Sequence, residues 1–334
     1  MKKIPVIDIS AFREGGPVAG KHVVDAVRSA CEEIGFFTIT GHGVSSDLIS
    51  RVYRNAHQFY DLPLEEKLKI EKAPGASYKG YTAMRARTIG RSQDASLRPS
   101  LNESFAMGYV DVTDDAYFKS PKAGTHFEPN VYPAKPTDFK PSIIAYYGAM
   151  EELSKVIMRI FASALEIDPS YFLDKIERHI SVLRVVNYPA LTEVPGEGEE
   201  RAGAHADTGA VTLLWNDDPP GRPGLQVRTP DGAWIDVVRE PDSFIVNIGN
   251  TLMRWTNDRF VSTMHRVVNP PVVNGKSLPR LSIPYFCQPA YEAVIECIST
   301  CQGPGNPSRY PPITSGDILT QRYASSYSLD KAAS

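Results

Sequence analysis

Hydrophobic and polar positions divide the chain into two textures. In the second half, short runs rich in β-branched and aromatic residues recur between Gly, Pro, Asn and Asp: SVLRVVNYP (181–189), AVTLLW (210–215), GLQVR (224–228), AWIDV (233–237), SFIVNIG (243–249), STMHRVVNPP (262–271) and RLSIPYF (280–286). Each reads as a strand bounded by turns. The first half is mixed. IPVIDI (4–9) and FFTITGHGV (36–44) read as strands around an amphipathic helix, HVVDAVRSACEEIG (22–35), with Gly35 as its stop. A second helix is expected over Ser46 to Tyr60, and LEEKLKI (64–70) makes a short third. Residues 75–140 are irregular and broken by the strand-like NESFAMGYV (102–110); a loop region of that length suggests a functional cover. Pro141 to Ile167 keeps apolar residues at helical spacing behind an N1-type proline and predicts the longest helix.

Regularly spaced short strands suggest a sandwich, a jelly roll or a barrel. The expected class is α+β: one domain over 1–334, with a helical and β support over 1–100, a β core over 181–290 and a C-terminal extension over 291–334. EVPGEGEERAG (193–203) reads as a solvated acidic loop.

Composition narrows the function. With 36 basic and 39 acidic residues the net charge is −3, which gives no electrostatic case for nucleic acid, and small molecules become the better expectation. No apolar run is long enough to span a membrane, and no secretory signal precedes the first strand. Four cysteines, Cys31, Cys287, Cys297 and Cys301, are too few for a disulfide framework and suggest reduced thiols in a cytoplasm. Cys297 and Cys301 lack the second ligand pair a structural zinc site needs. Oligomeric state is not legible.

The candidate chemistry begins at HADTGAVTLLWND (205–217). In an extended segment residues i and i+2 share a side, so His205 and Asp207 can converge on one ion. Alone the pair is weak evidence, as easily a satisfied histidine and a turn aspartate. His265, in another strand-like run, supplies a third candidate. Two histidines and one carboxylate leave open coordination positions, a set that suits non-haem Fe(II) and oxygen chemistry. Arg280 and Ser282 also share a face, and a guanidinium beside a hydroxyl suits a carboxylate. Tyr188 offers one more hydroxyl.

The ordered set Asn187-Tyr188-Pro189, His205-x-Asp207, STMHRVVNPP and Arg280-x-Ser282, preceded by IPVIDIS and EIGFFTITGHGV, resembles the isopenicillin N synthase-like family of 2-oxoglutarate- and Fe(II)-dependent dioxygenases. The likeness covers nearly the whole chain. It implies a double-stranded β-helix core buttressed by helices, with His205, Asp207 and His265 as iron ligands. Arg280 and Ser282 would then hold the distal carboxylate of 2-oxoglutarate, assisted by Tyr188. The implied reaction consumes O2 and 2-oxoglutarate, releases succinate and CO2, and oxidises a small-molecule substrate, by default through hydroxylation. Two alternatives stay open on the residues: an Fe(II) oxidase of the same fold that does not use 2-oxoglutarate, and a non-catalytic jelly-roll module that binds a metal or ligand.

Substrate contacts are expected from the segments ahead of the barrel and from strands beside the ligands: Tyr81, Phe105, Trp215 and Phe286, with Tyr78, Ser104 and the cluster Arg85, Arg87 and Arg91 nearby. Two features depart from the family pattern. Gly249-Asn250 stands where the family often has Gly-Asp, and the gap from His265 to Arg280 is longer than usual. Asn274-Gly275, a strong hairpin-turn signal, accounts for the extra length.

Overall fold

The computed structural model describes residues 3–71, 78–219 and 223–321. The chain runs through β1 (Val6–Asp8), α1 (Ser10–Ala19), α2 (Lys21–Glu33), β2 (Phe36–Thr40), α3 (Ser46–Tyr60), α4 (Leu64–Leu68), β3 (Gly80–Thr82), β4 (Glu103–Met107), α5 (Ala116–Lys119) and α6 (Phe139–Ala164). The β-rich half follows as β5 (Val182–Tyr188), β6 (Ala202–His205), β7 (Val211–Asn216), β8 (Leu225–Arg228), β9 (Trp234–Asp236) and β10 (Phe244–Ile248). It continues through α7 (Asn250–Trp255), β11 (His265–Val267), β12 (Arg280–Cys287) and the short pair β13 (Val294–Ile295) and β14 (Ile313–Thr314).

Two sheets make the core. The larger has the order β1-β2-β10-β7-β12-β5-β4-β3, and the smaller has the order β6-β11-β8-β9. Side-chain alternation assigns the faces of the larger sheet. Its outer face carries Phe37, Phe105, Leu183, Val185, Leu213, Val246, Ile283 and Tyr285, which share one apolar core with Tyr146, Tyr147, Ile157 and Phe161 of α6. Its inner face carries Phe36, Val186, Tyr188 and Ile245, packed against Ala202, Leu225, Val227 and Val267 of the smaller sheet. The result is a jelly roll, one of the three architectures the strand spacing allows and the one the resemblance implies, with α6 as a spine behind it.

The longest helix starts two residues earlier than expected, so Pro141 is its third residue. It ends where Glu166 turns left-handed (φ 58°) and the Ile167 N–H reaches back to the Ala162 carbonyl. Gly35 stops α2 at φ 66°. Asn274 and Gly275 have φ of 53° and 72°, and Val273 and Lys276 exchange backbone hydrogen bonds of 3.0 and 3.1 Å, so a two-residue hairpin turn absorbs the long gap before Arg280. Three elements depart from expectation. The segment read as an acidic loop ends in β6. Residues 10–19 form α1, kinked at Gly16. Residues 250–255, at the Gly-Asn departure, form the short helix α7. The end of the C-terminal extension, residues 322–334, lies outside the described residues, as do residues 75–77 of the irregular stretch.

Candidate active site

His205 closes β6 and His265 opens β11, and the two stand directly opposite in register with ring centroids 4.4 Å apart. Asp207 follows two residues beyond β6. Its Oδ1 lies 3.9 Å from His205 Nε2 and 3.8 Å from His265 Nε2, and the three candidate ligand atoms all fall within 4.8 Å of one another. Among the described residues this is the sole group of three or more His, Cys, Asp or Glu arranged to hold a metal. Cys297 and Cys301 belong to no such group.

The outer atoms of the triad are already engaged. His205 Nδ1 lies 2.8 Å from the Gly203 carbonyl and His265 Nδ1 lies 3.1 Å from the Thr263 carbonyl, so each ring donates from Nδ1 and turns its Nε2 lone pair inward. Phe36 packs edge-on against His265. Asp207 Oδ2 accepts from Thr212 Oγ1 at 2.6 Å and from Asn247 Nδ2 at 2.8 Å, which leaves Oδ1 toward the histidines. Thr212 and Asn247 are register partners on β7 and β10, so the sheet itself delivers both donors. Burial pushes the Asp207 carboxyl up. Positive charge on the His265 and His205 rings, where they carry it, with the Thr212 and Asn247 bonds, outweighs that burial and holds it below the usual carboxylate range.

The turn carrying Asp207 is fixed from below by α7. The Asn250 N–H donates to the Asp207 carbonyl at 2.8 Å, and Thr251 holds the Thr208 carbonyl through both its N–H and its hydroxyl. This close approach requires glycine at 249: a Cβ there would overlap the Gly209 carbonyl oxygen. The family's Gly-Asp position thus works here through the backbone of a helix start.

Arg280 and Ser282 occupy the inner face of β12, and Arg280 pairs in register with Tyr188. The Arg280 guanidinium lies over the Tyr188 ring, 5.2 Å from its centroid, and its Nε donates to Asp218 Oδ1 at 2.7 Å. Burial opposes that charge, but the Asp218 and Asp217 carboxylates and the neighbouring Tyr188 keep the guanidinium protonated. Arg280 Nη2 is a buried donor without a partner, and so is Asn216 Nδ2, whose residue sits opposite Ser282 on β7. Unpaired buried donors of this kind are costly unless something else completes them, and a carboxylate would. The donor set therefore fits 2-oxoglutarate, as the triad fits a divalent metal.

The pocket expectations need correction. Tyr81, Phe105 and Trp215 face the helices, away from the barrel interior. Phe105 is fully buried against Phe59 and Phe139. Tyr81 is its register partner and donates its hydroxyl to Glu103, which also takes Lys67 and Asn187. Trp215 packs edge-on against Tyr53 beneath Arg239. Phe286 is on the inner face opposite Thr212, level with the triad. Ser104 also lies on the inner face, opposite Val186. In the arginine cluster, Arg85 is ion-paired with Glu199 at the surface. Gly90 brings the cover segment against the backbone of Gly203 and Ala204 in β6.

Residues that the sequence did not single out are Thr212, Asn247, Asn216, Asp218 and Arg201. All lie beside recognised motifs, but only strand register shows what they touch.

A jelly roll joined to this site defines a class of protein, the Fe(II)- and 2-oxoglutarate-dependent oxygenases. Residues 180–289 match the 2OG-Fe(II) oxygenase superfamily, and residues 4–135 match the family described as non-haem dioxygenase in morphine synthesis N-terminal. The chain is 34% identical over 328 residues to the 2-oxoglutarate-Fe(II) type oxidoreductase hxnY of Emericella nidulans, covering 97% of this chain and 90% of that protein. It is 33% identical over 302 residues to homoarginine-6-hydroxylase 2-ODD-C23.2 of Arabidopsis thaliana, covering 88% and 79%. A full-length Neurospora crassa protein, solved in complex with alpha-KG and thymine, superposes with a TM-score of 0.83 at 31% identity, covering 96% of each chain. The chain belongs to the 2OG-Fe(II) oxygenase family and is a dioxygenase that uses Fe(II), 2-oxoglutarate and O2 on a small-molecule substrate. Among the described residues no helix is long and apolar enough to cross a membrane.

Proposed function

We propose that His205, Asp207 and His265 are the protein ligands of the Fe(II), and that Arg280, with Ser282 and Tyr188, receives the distal carboxylate of 2-oxoglutarate. The outcome is hydroxylation of a small molecule held at the barrel mouth. The observation that carries this reading is the triad itself: three ligand atoms within 4.8 Å, with the outer ring nitrogens and Asp207 Oδ2 already bonded. When bound, Fe(II) with 2-oxoglutarate supplies the O2 activation and the oxidising power, with succinate and CO2 as the coproducts of a hydroxylated C–H bond.

The chain's own residues bind, orient and exclude water. Gly203 and Thr263 fix the two rings. Thr212 and Asn247 fix the carboxylate. Arg280 sets how deep the cosubstrate reaches along the inner face. At the level of the triad, Phe286 offers an apolar wall, and Arg184 lies on the same inner face between Ala106 and Pro284. Residues 181–290 are the catalytic core of a single functional unit, with residues 1–100 as its support.

Asp207→Ala tests the assignment. The variant is expected to lose stoichiometric Fe(II) binding and all 2-oxoglutarate-dependent succinate formation while keeping the far-ultraviolet spectrum of the parent. Iron retained at one equivalent with succinate still formed would overturn it.

A further inference from the structure

The inner face of β12 does not end at Phe286. Cys287 points outward into the core shared with α6, so alternation turns Gln288, one residue past the strand, toward the barrel. Ser181 fixes its backbone twice: the Ser181 hydroxyl takes the Gln288 N–H at 3.0 Å and donates to the Gln288 carbonyl at 3.4 Å. The side chain is 6% exposed and lies on the turn that follows Asp207, where a Cβ at Gly209 would stand 3.1 Å from Gln288 Nε2 and 3.3 Å from the amide carbon. Glycine at 209 thus leaves the amide room two residues from a metal ligand. Phe286, on the same face, is half-buried. Among the described residues Gln288 Oε1 is a buried acceptor without a partner, and no protein group accepts from Nε2. A buried amide left unpaired is costly. The orphan donors of Arg280 and Asn216 lie at the far end of β12 and are completed by the cosubstrate; nothing at that end reaches Gln288.

We propose that Gln288 is a specificity-determining residue that takes a cis-amide edge of the substrate, an N–H beside a C=O as in a lactam, an imide or a cyclic urea. The inference rests on the triad as the iron site and the barrel mouth as the place of the substrate. A primary amide offers one acceptor and a donor side by side, and a cis-amide edge is its complement in either orientation of the glutamine. The terminal torsion of glutamine is broad, so the amide can turn that edge to the barrel at little cost while its backbone stays held by Ser181. A molecule of the same shape without the N–H leaves Oε1 unpaired, which is how a buried polar group discriminates against an analogue.

The test is anaerobic titration of two probes of the same ring size, 2-pyrrolidinone and cyclopentanone, into protein loaded with Fe(II) and 2-oxoglutarate. Binding is read from the relaxation of the probe's ring protons, which nearby iron accelerates. The parent protein is expected to bind the lactam about tenfold more tightly than the ketone. Gln288→Leu should bring the two within about twofold, and Gln288→Glu, which keeps an acceptor, should still favour the lactam. The charge-transfer band with 2-oxoglutarate is recorded for each protein before the probes are added. If the band forms but the parent does not favour the lactam, or Gln288→Leu favours it equally, the inference falls and the iron and cosubstrate assignments stand. If no band forms in the parent, those assignments fall and the inference with them.

Discussion

Replacing Thr212 with valine keeps the shape of the side chain and deletes one of the two donors on Asp207 Oδ2, the 2.6 Å bond from the Thr212 hydroxyl. A hydrogen bond to a charged group contributes roughly 1.5–3 kcal/mol. In the metal-free protein the carboxylate can turn to recover part of that. With iron bound, Oδ1 is fixed and the loss falls on the metal complex. Removing an outer partner of a metal ligand costs about 10- to 100-fold in affinity, or about 1.4–2.8 kcal/mol at roughly 1.4 kcal/mol per decade, so the two routes to the magnitude agree. Anaerobic competition of the protein against a chromophoric chelator measures it directly. Thr212→Val should bind Fe(II) ten- to a hundredfold more weakly, and adding Asn247→Ala, which removes the 2.8 Å bond, should weaken it further. An affinity within twofold of the parent would show that Oδ1 needs no help from its partner oxygen, and the argument from outer hydrogen bonds would be wrong.

Other consequences are equally concrete. Gly249→Ala places a Cβ into the Gly209 carbonyl and must displace the turn that carries Asp207; metal content after reconstitution should drop, and full occupancy would contradict the packing. Phe105→Ala should lower stability by about 3–5 kcal/mol in denaturant titrations, as expected for a buried phenyl ring, with Fe(II) affinity unchanged because Phe105 faces α6 and not the barrel; a selective loss of metal or cosubstrate binding would return it to the pocket. Cys31 and Cys287 are fully buried, and burial pushes both thiols up, so neither should react with iodoacetamide until the protein unfolds; modification of either in the native state would contradict their placement.

The strands of the barrel were legible because each is a β-branched run closed by turn residues, and the hairpin at Asn274-Gly275 because only such residues accept two consecutive positive φ angles. β6 was not, since Ala202-Gly203-Ala204 carries no β-branched signal and follows an acidic loop. α7 is too short to show a helical period. The triad could be read from types and order, but the faces of Tyr81, Phe105 and Trp215 could not. β4 is buried along its whole length and β7 nearly so, so their sequences do not alternate, and parity against β5 and β12 decides where each ring points. Arg201 and Asp218 were hidden for a related reason. A buried charge looks like a surface charge until its neighbours are known.

The central claim is that one iron and one 2-oxoglutarate meet between the His205–Asp207–His265 triad and Arg280. Anaerobic titration of the Fe(II)-loaded protein with 2-oxoglutarate tests it most directly. A visible metal-to-ligand charge-transfer band should grow to saturation at one equivalent, vanish in His265→Ala, and require far more cosubstrate in Arg280→Met. No band in the parent protein, or a band indifferent to His265, would contradict the account.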